Sequence, residues 1–289
     1  MCDLLGMCFN RPIRPTFSFY NFRFKDNRNP DGWGVAFYPF SQNNRSDKSA
    51  LVIKEARPAT SSDLAQKLIG YDYLCSNIII SHVRASSGSD IAHRNTHPFY
   101  REFNGKEYIF AHNGTLNANA LVEEFENAHH NPIGETDSEK AFCIILNGMN
   151  ERGISRWSNE DFIWIGEVLR EINTHGYLNC LLSDGESLFC YADKDKYNCL
   201  SYIERRHPFN EITLLDKNKK QPNTGFVNLS SIKDPSDHGF IIATTVRTGK
   251  PTNEHWIPFI GGELKIFRGG ELIFSSLGTQ QSILEDVRV

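Results

Sequence analysis

No pair among the seven cysteines of this 289-residue chain is spaced C-x-x-C, so the sequence carries no zinc-site signal. No apolar run reaches the ~20 residues that a membrane-spanning helix needs. Basic residues are not in excess: 31 Lys and Arg stand against 35 Asp and Glu, for a net charge of −4. That balance gives no general attraction to phosphate backbones or anionic bilayers, and a nucleic-acid partner and a membrane are both excluded as expectations. Arg11, Arg14, Arg23, Lys25 and Arg28 make one stretch locally basic, and it reads as a solvated loop. There is no internal repeat, no long linker and no Gly-rich phosphate loop of the kind a nucleotide-using synthase domain would show. The odd cysteine count and the lack of a secretory leader point to a reducing, cytoplasmic setting. No metal and no cofactor is expected.

What is present is a chain rich in aromatics, with 20 Phe and 10 Tyr, enough to fill a sizeable core because each ring buries a large area. Several cysteines lie in apolar runs, as in Leu178-Asn179-Cys180-Leu181-Leu182, and read as small buried hydrophobes. β-Branched and aromatic runs predict strands over 34–38, 51–54, 77–83 and 108–112. A short helix is predicted after Ser61 or Ser62, with Leu64, Leu68 and Ile69 on one face. Longer helices are predicted from about Asn117 to His129, from the capping-box pattern Thr136-Asp137-Ser138-Glu139 onward, and from Ser158 to a stop near Gly176. The last third returns to strands over 178–183, 187–192, 239–245, 263–267 and 271–274, the final pair flanking Arg268-Gly269-Gly270. Strands, then helices, then strands predict an α+β fold. The polar stretches 41–49 and 216–224 read as exposed loops, and a single domain over 2–289 is expected.

Five short segments carry chemistry. Met1-Cys2 stands first. Removal of Met1 would leave Cys2 with a free α-amine, pKa ~7.7–8.0, on the same residue as its thiol, so one residue could supply nucleophile and base. Arg84 ends the apolar strand Ile78-Ile79-Ile80-Ser81-His82-Val83. A charge there needs an anionic partner, either a structural carboxylate or the carboxylate of a ligand. His97, before Pro98, reads by itself as a packed turn residue. Asn113-Gly114 follows a strand and is either a turn or a pair of donors, side-chain amide and backbone N–H, for an oxyanion. Asp137 suits the first turn of a helix and could also pair with a ligand ammonium.

In their order, these segments resemble the class-II glutamine amidotransferases, and within them the small YafJ-like proteins. The resemblance runs through MCDLLGM at the start, DGWGVAFY at 31–38, SHVRASSG at 81–88, NTHPF at 95–99, AHNGTL at 111–116 and ETDSEKAF at 135–142. Weaker likeness continues through 176–193 and 241–256. It implies a four-layer αββα sandwich of the N-terminal-nucleophile hydrolase type with two central antiparallel sheets. It also implies Cys2 as nucleophile and Asn113 with Gly114 as oxyanion hole. Arg84 would hold the substrate α-carboxylate, Asp137 the α-amino group, and His97 would line the pocket. Where many relatives carry Thr, this chain has Ser86 and Ser87, and the Ser87 hydroxyl is expected to bind substrate. The reaction implied is cleavage of the γ-amide of glutamine or of a γ-glutamyl compound through a thioester. The ammonia acceptor would be a separate protein or absent. The competing expectation is a catalytically idle binding or regulatory protein, which would need Arg84 and Asp137 but no terminal thiol.

Overall fold

The computed structural model describes residues 2–15, 29–40, 47–68, 71–86, 88–121, 128–206, 236–244 and 255–278, with the backbone of 211–213 and 226–228. In chain order the strands are β1 (Asp3–Ile13), β2 (Gly32–Phe37), β3 (Leu51–Glu55), β4 (Ser76–Arg84), β5 (Phe99–Phe103), β6 (Lys106–Leu116), β7 (Gly176–Ser183), β8 (Ser187–Tyr191), β9 (Ser201–Arg206), β10 (Glu211–Thr213), β11 (Phe226–Asn228), β12 (His238–Ala243), β13 (Ile257–Pro258), β14 (Leu264–Arg268) and β15 (Glu271–Ser275). The α-helices are α1 (Asp63–Leu68), α2 (Asp137–Arg152) and α3 (Asn159–Ile172). One antiparallel sheet is ordered β13-β9-β12-β1-β4-β2-β3 and a second β15-β14-β8-β7-β6-β5, while β10 and β11 pair by themselves.

Side chains alternate across each strand, and this alternation sorts the apolar residues into three layers of core. Leu4 and Cys8 of β1, Ile78 and Ile80 of β4 and Ile242 of β12 meet Ile109 and Ala111 of β6 and Leu181 of β7 between the sheets. On the outer face of the second sheet, Phe110, Cys180, Leu182 and Phe189 pack on Phe142 and Leu146 of α2 and on Ile165 and Leu169 of α3. On the outer face of the first, Leu5, Met7, Val35, Ile79 and Val83 pack on Ala65 and Leu68 of α1. The layers therefore run αββα, as the resemblance implies. The helical layer over the first sheet is thin, since α1 has six residues.

Several elements differ from expectation. β1, paired on both edges by β4 and β12, was not foreseen as a strand. The run Asp3-Leu4-Leu5-Gly6-Met7 is buried on both faces and holds no β-branched or aromatic residue, the signal on which the other strands were predicted. Arg11 belongs to this strand rather than to a loop, whereas Arg23, Lys25 and Arg28 lie outside the described residues. In α1 the buried face is Ala65 and Leu68, and Leu64 is exposed. Of the helix expected over 117–129, residues 122–127 lie outside the description. Asn117 to Leu121 form a turn in which Ala120 and Leu121 N–H donate to the Asn117 carbonyl. Most of 41–49 and all of 216–224 are likewise undescribed. Ser158 makes the full capping box with Asp161. Thr136 makes half of one, accepting from Glu139 N–H while the Glu139 carboxylate turns to Gly134 N–H. Asn113-Gly114 is no turn: both residues lie within β6, opposite Asn179 and Leu178 of β7.

Candidate active site

The alternation that builds the inter-sheet core also assembles the polar cluster at its end. Cys2 follows the parity of Leu4, Arg84 that of Ile80 and His82, Asn113 that of Ile109 and Ala111, and Asn179 that of Leu181. All four fall on facing surfaces of the two sheets. Thr244, just past β12, has the parity of Phe240 and Ile242 and joins them.

The backbone of Cys2 is held from both sheets. Its carbonyl accepts from Asn113 Nδ2 at 2.8 Å and from Asn198 Nδ2 at 3.2 Å. Thr244 Oγ1 accepts from Leu4 N–H at 3.0 Å and from Asn113 Nδ2 at 3.3 Å. The Cys2 thiol receives Ala85 N–H at 3.2 Å and lies 3.3 Å from the Ala85 carbonyl. Burial pushes this thiol above its ordinary pKa; Ala85 N–H and the Arg84 charge pull it down, and Asp3 pushes it up. Gly114 is required by space: a Cβ there would stand 2.0 Å from the Tyr177 carbonyl oxygen. N–H groups of an extended chain alternate sides. Gly114 N–H therefore points away from β7, on the side where Leu116 N–H meets Asp137 Oδ2 at 2.6 Å.

Arg84 is 3 % exposed. Its guanidinium donates to neutral acceptors: the Asp31 carbonyl at 3.3 Å, Ser86 Oγ at 3.2 Å, Ser89 Oγ at 2.7 Å and the Ser89 carbonyl at 3.4 Å. The Asp31 carboxylate is turned to Ser86 N–H at 2.7 Å instead. Burial lowers the Arg84 pKa, and Asp31, Cys2 and Asp137 raise it through their charge, so Arg84, Cys2 and Asp137 share one electrostatic neighbourhood. Asp137 begins α2, where its Oδ1 accepts from Ser138 N–H at 2.8 Å. His97 is buried with its ring 4.3 Å from that of His82 and 4.5 Å from that of Phe99. It lies behind the cluster, and its ring nitrogens have no hydrogen-bond partner among the described residues. Ser87 lies outside the described residues. Among the described residues, the hydroxyls beside Arg84 are those of Ser86 and Ser89.

Sequence reasoning missed Asp31, Ser89, Asn179, Asn198 and Thr244. Each is a short polar residue at the end of an apolar strand or in a turn. Nothing local distinguishes such a residue from an ordinary cap, and only the topology brings them to one place.

Two facing antiparallel sheets between helical layers define an α+β sandwich with the fold of the N-terminal-nucleophile type. The family model for class-II glutamine amidotransferases matches residues 1–286. An uncharacterised protein of Methanocaldococcus jannaschii is 39 % identical over 276 residues, covering 96 % of this chain and 72 % of its own. YafJ of Escherichia coli K12, whose name assigns it provisionally to the glutamine amidotransferases, is 34 % identical over 94 % of this chain and 100 % of its own. Among solved structures, a predicted glutamine amidotransferase from Pseudomonas aeruginosa superimposes with a TM-score of 0.63 at 26 % identity, covering 94 % of this chain and all of that one. The phosphoribosylpyrophosphate amidotransferase of Bacillus subtilis shares the fold, with a TM-score of 0.64 at 17 % identity over 95 % of this chain and 48 % of that one. The chain belongs to the class-II glutamine amidotransferases.

Proposed function

We propose that the protein is a glutaminase-type amidohydrolase that cleaves the γ-amide of glutamine or of a γ-glutamyl compound through a thioester on Cys2, working as one domain over 2–289. The observation that carries this reading is Arg84. A guanidinium at 3 % exposure, bonded to neutral oxygens alone among the described residues, is an incomplete ion pair. A buried charge of this kind calls for a counter-charge, and a substrate α-carboxylate supplies one in the planar geometry a guanidinium matches. Asp137, in the same electrostatic neighbourhood, offers the matching site for the α-ammonium. Together they select a free amino-acid end and leave the side-chain amide to reach Cys2.

The chemistry follows from the state of the thiol. With its pKa raised by burial, the thiol has little thiolate at neutral pH, and a proton acceptor is needed at hand. Once Met1 is removed, the α-amine of Cys2 is that acceptor. It takes the thiol proton as sulfur attacks the γ-carbonyl, then passes it to the leaving nitrogen. The carbonyl oxygen, negative in the tetrahedral intermediate, lies at Gly114 N–H and Asn113 Nδ2. Asn113 exchanges its 3.3 Å contact to Thr244 for the oxyanion and keeps its bond to the Cys2 carbonyl. Water then attacks the thioester, releasing glutamate and returning the proton to sulfur. His97 shapes the wall behind Arg84 and His82. Ser86 and Ser89, whose hydroxyls accept from Arg84, are set to share the carboxylate. A cytoplasmic location suits this reading, since all seven cysteines are free and the mechanism needs a reduced thiol. Ammonia, where it is the product, is released or taken by a separate acceptor protein.

The test is glutamate release from glutamine and from γ-glutamyl peptides, for wild type and for Cys2→Ala, with intact mass recorded for both. Loss of Met1 and a fall of at least about three orders of magnitude in Cys2→Ala are expected. Release of glutamate at an unchanged rate by Cys2→Ala would remove Cys2 as nucleophile.

A further inference from the structure

Two tyrosines at the mouth of the site have no part in this mechanism. The rings of Tyr177 and Tyr197 stack with centroids 4.4 Å apart and planes 17° apart, and Tyr177 is 44 % exposed. Tyr177 lies on β7 with the parity of Asn179 and Leu181, so it extends the inter-sheet face one step beyond Asn113 and Asn179 toward solvent.

Tyr197 is aimed by a strained turn. Lys196 and Asn198, its two neighbours, both adopt left-handed backbone conformations, with φ of 58° and 49°. Such conformations in residues other than glycine cost energy and collect at functional sites. The turn is pinned from several sides. Asp193 Oδ1 accepts from Asp195 N–H at 2.9 Å and from Tyr197 N–H at 3.0 Å, and Asn179 Nδ2 donates to the Tyr197 carbonyl at 2.6 Å. Asn198 donates to the Cys2 carbonyl at 3.2 Å. The turn is thereby tied to the nucleophile's own backbone, and the Tyr197 hydroxyl, its pKa raised first by burial, also feels the charge of Cys2.

Sheet order fixes which side of Cys2 this is. In the first sheet β4, which ends in Arg84, flanks β1 on one edge, while β12 and β9 lie beyond the other; the 193–199 turn leads into β9. In the second sheet Asp137 binds β6 on the edge away from β7, whereas Tyr177 lies on β7. In both sheets the groups suited to an amino-acid end are on one side of Cys2 and Asn113, and the tyrosines are on the other. A γ-amide whose α-carboxylate is at Arg84 and whose carbonyl is at Cys2 must send its leaving nitrogen toward the tyrosines. We propose that Tyr177 and Tyr197 form the leaving-group subsite, and that it selects γ-glutamyl compounds whose amine portion carries an aromatic or apolar group over glutamine itself. This rests on the hydrolase reading above and specifies its substrate class.

The experiment compares L-glutamine with γ-L-glutamyl-L-phenylalanine in two ways. The first is kcat/KM for glutamate release by wild type, Tyr177→Ala, Tyr197→Ala and the corresponding Phe variants. The second is calorimetric affinity for both ligands in a Cys2→Ala background carrying the same changes. The preference for γ-glutamyl-phenylalanine is expected to fall about tenfold or more in each Ala variant, as for loss of one well-packed aromatic contact. It should hold within about threefold in the Phe variants, which keep the ring and report that the protein folds. Equal losses for the two ligands, or a wild type that prefers glutamine in both measurements, would overturn the subsite. If wild type releases glutamate from neither ligand, the hydrolase reading fails by itself, and the affinity ratio still decides the subsite.

Discussion

At the scale of single residues, the site is defined as much by what holds Cys2 as by Cys2. Thr244 illustrates this. Its hydroxyl oxygen takes the Leu4 N–H at 3.0 Å and the Asn113 amide at 3.3 Å, and its own N–H returns to the Leu4 carbonyl at 3.3 Å. It thus ties β12 to β1 one turn of pleat away from the thiol. Replacing Thr244 by Val keeps the shape and removes the acceptor, so the buried Leu4 N–H loses its partner at a cost of about 1–3 kcal/mol. The expected result is a lower urea midpoint with an unchanged slope, restored by Thr244→Ser; an unchanged midpoint would remove Thr244 from this role. Arg84 makes a different prediction. Lysine keeps the charge but not the planar fork. In Arg84→Lys the KM for glutamine should therefore rise by roughly 10- to 100-fold, the worth of a hydrogen bond to a charged group, with kcat changing less. An Arg84→Lys enzyme with the wild-type KM would place the carboxylate elsewhere. On the proposed mechanism Asn113→Ala removes one of two oxyanion donors, and kcat should fall by about 10²–10³.

At the scale of elements, two motifs that are far apart in sequence turn out to be a single contact. Gly32 and Gly34 of DGWG lie under the NTHP segment: a Cβ on Gly34 would stand 2.3 Å from the His97 carbonyl oxygen and 2.9 Å from Pro98 Cδ. Lys54, opposite Gly34 on β3, donates from Nζ to the Pro98 carbonyl at 3.2 Å and to the Thr96 carbonyl at 2.6 Å. Gly34→Ala must therefore lift this segment off β2. A loss of about 1–3 kcal/mol is expected from the crowding, read as a lower midpoint in denaturant, and a variant as stable as wild type would contradict the close approach. The contact also marks what could be read from the chain. The strands β2, β3, β4 and β6 and the helices opening at Thr136 and Ser158 were legible because β-branched and aromatic runs, and caps, are local signals. The individual site residues were named on motif grounds, and their assembly was not readable at all. β1 was not legible, because Asp3-Leu4-Leu5-Gly6-Met7-Cys8 holds no β-branched or aromatic residue. Nor were Asp31, Asn198 and Thr244, whose significance lies in pairings 53 to 240 residues away along the chain, such as Arg84 with Asp31, Cys2 with Asn198 and Leu4 with Thr244.

At the scale of the whole molecule, the packing of the sheets sets a pH limit on stability. His82 sits on the inner face of β4, against His97; both rings are buried, and among the described residues the His97 ring nitrogens have no hydrogen-bond partner. Burial, reinforced by His112, pushes the His82 pKa down to about 3, and burial with the charges of His82, His112, Lys54 and Arg84 holds His97 well below the ordinary value. Asp3 works the other way on His82 without reversing the direction. In the unfolded chain both rings titrate near pH ~6.5. Below that pH the unfolded state binds protons that the folded state refuses, so stability falls as pH falls. It is fully present above pH ~6.5 and is drained through the window down toward the folded values. Each histidine contributes a slope of up to about 1.4 kcal/mol per pH unit in that window. Between pH 6.5 and 5 most carboxylates are still ionised, so the slope there belongs chiefly to buried histidines. Urea unfolding at pH 7.5, 6.0 and 5.0 should show wild type losing stability steeply across the lower interval. His97→Gln, with one proton fewer to exclude, should lose about half as much. A wild-type stability that is flat from pH 7.5 to 5.0 would mean that the ring pair takes up a proton in the folded state, and that the inter-sheet layer behind Arg84 is wetter than its packing implies.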